Sequence, residues 1–125
     1  MNTDELTDLI RQRGKYDTAE TTRGAIEAVL TVLATRHTDG EAAKLAAQLP
    51  SGIGEYLREP EEKPEEFDAE EFLARVQKQL DSNEQQAQTA THAVLSAVTE
   101  VVSEGEQISF MNALPNDLSG YARWN

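Results

Sequence analysis

Shifted against itself by 65 residues, the chain repeats. Ala25, Ala28, Val29 and Leu30 fall on Ala90, Ala93, Val94 and Leu95, and Gly40-Glu41 falls on Gly105-Glu106. Leu49-Pro50 matches Leu114-Pro115, Tyr56 matches Tyr121 and Arg58 matches Arg123. These are 10 identities in 34 ungapped positions, where average composition gives roughly two by chance. Leu33 with Val98, Leu45 with Phe110 and Ile53 with Leu118 are conservative pairs. Farther upstream the offset is 66, pairing Leu6 with Phe72 and Ile10 with Val76. The change of offset reads as one residue added near Leu80 to Ser82, in a loop. Two copies are too few for a solenoid. The expectation is one all-α, bundle-like composite domain, with two pseudo-symmetric helical repeats of three to four helices each.

Each copy reads as the same series of helices. In the first, Thr3 or Asp4 caps a helix carrying Leu6, Leu9 and Ile10, and the stretch Arg13 to Asp17 breaks it. Thr18 starts a long helix whose apolar positions Ala25, Ile26, Val29, Leu30, Val32 and Leu33 recur at helical spacing. Gly40 ends it as a left-handed stop. Glu41 opens a short helix with Ala42, Leu45, Ala46 and Leu49 inward. Pro50 suits the first turn of a last helix carrying Ile53, Tyr56 and Leu57. In the second copy Asp68 or Phe67 leads into a helix with Phe72, Leu73 and Val76, and Asp81-Ser82-Asn83 makes a turn and cap. A long helix from Glu84 to Ser103 follows, stopped by Gly105. Ile108, Met111 and Leu114 form the short helix, and Pro115 to Arg123 the last. No segment reads as a strand.

Charge divides the chain in the same place. The formal net charge is −12, from 23 acidic and 11 basic residues. Residues 59–71, EPEEKPEEFDAEE, carry 8 of the acids and one lysine. Pro60 and Pro64 block a helix there, and like charges repel, so the stretch reads as a solvated, extended linker. Its end, Asp68-Ala-Glu-Glu, suits an acidic first helical turn. The division is then residues 1–58, a linker over 59–67, and residues 68–125. The acid excess argues against a phosphate-binding surface for nucleic acid and against docking on anionic lipid. It also suits life in high salt, as do 4 lysines against 7 arginines. No cysteine is present, which excludes a disulfide framework, a thiolate metal site and a cysteine nucleophile. No apolar run reaches the roughly 18 residues of a membrane span. The opening MNTDELTD is unlike a targeting signal, so the expected location is cytoplasmic.

The phrase Gly40-Glu41-Ala-Ala-Lys-Leu45-Ala-Ala-Gln48-Leu49-Pro50, after a helix ending Ala28-Val29-Leu30-Thr-Val-Leu33, resembles the domain of unknown function 2267 family. Gly105-Glu106 to Ala113-Leu114-Pro115 is similar but looser, with Asn112-Ala113 where the first copy has Ala47-Gln48. The resemblance covers nearly the whole chain, as two copies of the family's helical unit. It implies an all-helical prokaryotic protein without an established biochemical role, and it brings no catalytic residues.

The residues themselves offer little chemistry. His37 and His92 are the two histidines, and they do not occupy equivalent places. A helical metal site needs ligands at i and i+3 or i+4, yet His92 has Gln88 and Ser96 at i±4. Both histidines read as helix-surface residues, His37 in the last turn of its helix. The glutamate run lacks the glycine-supported turn of a calcium loop. Paired carboxylates for acid–base work need burial, and the acids here sit in first turns or the linker. Gly52 and Gly54 in SGIG form a turn and lack the Lys-Ser/Thr of a phosphate loop. Tyr56 with Arg58, and Tyr121 with Arg123, form either a symmetric recognition surface or two core-edge tyrosines beside paired arginines, and the second is preferred. Trp124 has Glu59 as its counterpart, and either closes the end of the core or lies exposed. No catalytic, cofactor or metal residue is assigned.

The expected function is a non-enzymatic module acting through an unidentified protein partner, as a monomer or weak homodimer, in a regulatory or stress-related role. The alternative is a small-molecule-binding protein or enzyme with a pocket between the repeats. An unpaired buried polar group in that seam favours the alternative; a filled apolar seam favours the first.

Overall fold

The computed structural model describes residues 2–36, 41–57, 65, 67–114 and 116–124. Eight α-helices follow in order: α1 (Thr3–Gly14), α2 (Ala19–Thr35), α3 (Glu41–Gln48), α4 (Ser51–Gly54), α5 (Ala69–Leu80), α6 (Glu84–Val101), α7 (Glu104–Ala113) and α8 (Asn116–Ser119). α4 runs on into a 3-10 turn, Glu55–Leu57, and α8 into another, Gly120–Ala122. Among the described residues there is no strand, only one isolated bridge between Arg36 and Glu65. The chain is all-α.

Local chemistry sets most helix starts. Asn2, not Thr3 or Asp4, caps α1: its side chain accepts from the Glu5 amide at 2.8 Å, and Glu5 reaches back to the Asn2 amide. Thr18 caps α2 by accepting from the Thr21 amide. Asp68 does the same for α5, and Asn83 for α6. α1 and α5 end on residues in the left-handed region, Lys15 (φ 56) and Asp81 (φ 49). In each case the next amide donates five residues back, Tyr16 to the Arg11 carbonyl and Ser82 to the Gln77 carbonyl, closing a Schellman-type end. The loop from Lys15 to Thr18 is one residue longer than that from Asp81 to Asn83. The extra residue therefore belongs to the first loop, not to Leu80–Ser82.

The long helices end sooner than their glycines imply. α2 stops at Thr35, because Arg36 is extended and the Thr35 carbonyl accepts the Glu65 amide at 2.9 Å. Gly40 lies outside the described residues. α6 stops at Val101, where Val102 turns extended (ψ 165). Gly105 stops nothing; it lies inside the first turn of α7 with open space around it. Gly54 is placed by close approach: an added methyl group would lie 2.6 Å from the Ala46 carbonyl oxygen.

α2 and α6 form the centre. α1 packs against both, and α5 packs against both from elsewhere. The 3-10 turn at 55–57 returns to α2, the turn at 120–122 returns to α6, and α3 meets α7. Among the described residues, buried apolar side chains from α1 to α6, α8 and both 3-10 turns join one cluster. The later half of α6 is enclosed on all sides, so Ala93 to Thr99 are buried without a break. Small Ala, Ser and Thr residues let several neighbours approach it closely, which explains how so few aromatics fill the core. Phe72 is the largest fully buried side chain among the described residues. The periodicity fails at Ile108, which is 59% exposed on α7.

The end of the acidic segment is not freely solvated. Glu65 pairs by backbone with Arg36 and by side chain with Arg75 at 2.9 Å. The Arg36 guanidinium donates to the Phe67 carbonyl at 3.1 Å, and Arg75 lies 4.0 Å over the Phe67 ring. Hydrogen bonds from Arg75 to Glu65 and Glu71 raise its pKa further above its ordinary value. Glu61, Glu62 and Glu66 lie outside the described residues.

Thr91 is fully buried on α6, and its hydroxyl has no hydrogen-bond partner. An unpaired buried hydroxyl costs about 1–3 kcal/mol. Thr91→Val, nearly the same shape, is expected to raise stability by about 1 kcal/mol in urea denaturation. An unchanged or lower midpoint would mean the hydroxyl is satisfied.

Candidate functional site

Three features cluster around the end of α1, the loop before α6, and the last described residues. The first is a cleft of about 540 Å³ where the two interhelical loops meet, with Lys15 and Tyr16 on one side and Ser82 and Asn83 on the other. Its floor includes Ala25 and Leu80, and Gln85, Gln86 and Thr89 rise along α6. Gly14 is needed here by close approach, since a methyl group at that position would overlap the Tyr16 ring. The Ser82 hydroxyl oxygen is buried and has no hydrogen-bond partner.

Burial raises the Tyr16 pKa above the ordinary phenol value. The folded state therefore favours the protonated ring more than the unfolded chain does. That contribution is complete below the unfolded phenol range, about pH 10, and is lost as pH climbs through the higher folded value. Tyr16→Phe is expected to flatten the alkaline fall in melting temperature. An alkaline limb identical to that of the wild type would remove Tyr16 as its cause.

The second feature is a knot of side chains. Arg13, in the last turn of α1, donates to the Ser96 hydroxyl at 3.0 Å and to Glu100 at 2.5 Å. Its guanidinium lies 5.0 Å over the Trp124 ring. His92 stacks against Trp124, ring centroids 4.6 Å apart, and meets the edge of Tyr121 at 6.3 Å. His92 Nε2 lies 2.6 Å from the Arg123 carbonyl. A carbonyl only accepts, so Nε2 carries the proton. His92 is thus half-buried, not a free surface residue, because the chain folds back over α6. A smaller cavity of about 360 Å³ lies between this knot and Lys15.

The third feature is a groove of about 510 Å³ on the far side of Trp124, with Ile108 as its other apolar wall. Ile108 and Trp124 are the exposed large hydrophobic residues among the described residues.

Other candidates fall apart in space. His37 and Arg58 lie outside the described residues. Tyr56 and Tyr121 are half-buried against the core, as core-edge tyrosines would be. Arg123 is exposed, and only its carbonyl takes part in the knot. Ser51–Gly54 is one helical turn. No group of three or more His, Asp or Glu among the described residues is placed to hold a metal. No described helix is long and apolar enough to cross a membrane.

A family model described as that of an uncharacterized conserved protein (DUF2267) matches residues 3–121. The chain belongs to the DUF2267 family. The DUF2267 match takes in Arg13, the seam cleft and His92, and ends before Trp124. No curated protein matches the chain.

Sequence reasoning missed Arg13, Ser96 and Glu100. A signal was present: at the same shifts, three residues of the knot meet unlike residues, while Tyr121 meets Tyr56. Arg13 stands against Gln79, His92 against Glu27 and Trp124 against Glu59.

Proposed function

We propose that this DUF2267 protein is a non-enzymatic interaction module, two copies of one helical unit merged over a shared core, acting through a protein partner in a regulatory or stress-related role. Support for the duplication comes from the caps. Asn2 and Asp68, Lys15 and Asp81, and the paired Schellman bonds all stand 66 residues apart, while Thr18 and Asn83 stand 65 apart. The buried pairs Leu6 and Phe72, Ile10 and Val76, and Leu30 and Leu95 keep the same spacings.

One observation carries the interaction reading: Trp124 is 40% exposed beside exposed Ile108, yet its ring is held by Arg13 and His92. A tryptophan ordered before binding loses little freedom on docking, and Trp is the residue type most enriched at binding hot spots. The net charge of −12 disfavours nucleic acid and anionic lipid as partners, and keeps self-association weak. The test is parallel capture from native lysate with wild-type, Trp124→Ala and Ile108→Ser baits. A protein retained by the wild type and lost by both variants supports the reading. Equal recovery on all three baits removes this face from the function.

A second reading has its own support. The seam between the halves is not a filled apolar contact; it holds an open cleft with the unpaired Ser82 oxygen beside it. Such a seam favours a small-molecule pocket.

A further inference from the structure

The seam cleft and the smaller cavity beside it share Gly14, Lys15, Gln85 and Thr89. They form one trough running from the Tyr16–Ser82 end to His92 and Trp124. None of the described residues lining either part is Asp or Glu, although the chain has 23 acids in 125 residues. Resting on the small-molecule reading above, we infer that this trough is a binding site for a small organic monocarboxylate, held by the Lys15 ammonium with its apolar body against Tyr16, Ala25 and Leu80.

The cations of the trough decide the charge of the ligand. Arg13 is already engaged by Ser96, Glu100 and Trp124. Lys15 is exposed and has no ion pair among the described residues. One uncompensated ammonium balances one negative charge. A dianion would keep an excess charge inside a chain of net −12, and a cation would find no carboxylate among the lining side chains. Asp17, Asp81 and Glu84 adjoin lining residues in sequence but do not line the trough themselves. The field of acids farther off decays over about 8 Å at physiological salt, and an anion in direct contact with the ammonium feels it first.

The rest of the lining suits the same ligand. Thr21 accepts the Thr18 hydroxyl at 2.9 Å and keeps its own hydrogen to donate. The Gln86 carbonyl oxygen is used by the Asn83 amide, which leaves the Gln86 amino group as a donor. Leu80 and the Tyr16 ring, over buried Ala25, offer apolar area that an inorganic anion would not cover.

The test is a titration of the full, isotope-labelled chain with sodium benzoate at constant ionic strength, followed by backbone-amide NMR. The expected result is saturable shifts at Lys15, Tyr16, Thr21, Ser82 to Gln86 and Thr89. Lys15→Gln should weaken benzoate by about tenfold, the loss of one charge-assisted hydrogen bond, and Lys15→Arg should restore most of it. Benzamide, the same shape without the charge, should bind about tenfold more weakly than benzoate. No saturable shift with benzoate would overturn this proposal; the small-molecule reading falls with it only if neutral benzamide produces none either. Benzamide binding as tightly as benzoate would leave the pocket standing and overturn the carboxylate assignment. Inorganic phosphate displacing benzoate at lower concentration, or benzoate binding unchanged in Lys15→Gln, would overturn it too.

Discussion

Leu30→Ala and Leu95→Ala should each cost about 2–5 kcal/mol, the price of a buried leucine cavity. Both residues are fully buried, Leu30 on α2 and Leu95 on α6, the two helices that every major packing contact reaches. A domain of this size has only about 5–15 kcal/mol to lose. At roughly 4 °C per kcal/mol, calorimetry should show the melting temperature fall by roughly 8–20 °C. The shape of the trace matters as much as its position. α1 packs on α6 and α5 on α2, so a cavity in either central helix loosens helices of both halves. One transition is expected in each variant. A Leu30→Ala trace with two transitions, one near the wild-type temperature, would mean that the halves melt independently and that the composite-domain proposal is wrong.

Arg13→Ala should be the next most damaging, at about 2 kcal/mol, within the range for hydrogen bonds to a charged group. The Arg13 side chain is only 11% exposed, while Glu100 is 49% exposed, so the loss comes from the buried end of the contact. Ser96 keeps a weaker bond to the Ala93 carbonyl at 3.3 Å, which limits the damage. Arg13→Lys retains the charge but not the fork that serves Ser96 and Glu100 together, and should fall between wild type and Arg13→Ala. Trp124 is the single tryptophan of the chain, so its fluorescence reports on the knot directly. Loss of the guanidinium should shift emission to longer wavelength in the folded protein. Unchanged emission in Arg13→Ala would show that His92 alone holds the ring.

The helices were legible in the sequence because their signals are local. Thr18, Asp68 and Asn83 stand at their caps as short polar residues before an apolar period, and Leu30 and Leu95 sit in the repeated Ala-Val-Leu phrase. The helix ends were misread where the cause is remote. Nothing near Thr35 announces that the Glu65 amide will take its carbonyl, so Gly40 looked like the natural stop. Ile108 follows the helical period, yet its side chain is left exposed on α7. The knot was illegible for the same reason: Arg13 and Glu100 are 87 positions apart, and only tertiary packing joins them. The seam cleft could be anticipated from pseudo-symmetry, but its freedom from acids emerges only when two loops and one helix face are brought together.

The packing of α1 and α5 against both central helices bears on how the protein is made. As the nascent chain leaves the ribosome, α1 and α2 emerge first, and each lacks a main packing partner. α1 waits for α6, and α2 waits for both α5 and α6, which lie beyond the acidic segment. A chain halted before α6 emerges leaves Leu6, Ile10 and Leu30 without part of their cover, so residues 1–58 are not expected to fold as an early unit. Stable structure should arrive late in synthesis and all at once. The strong negative charge of the intervening segment keeps that waiting half in solution until its other half arrives.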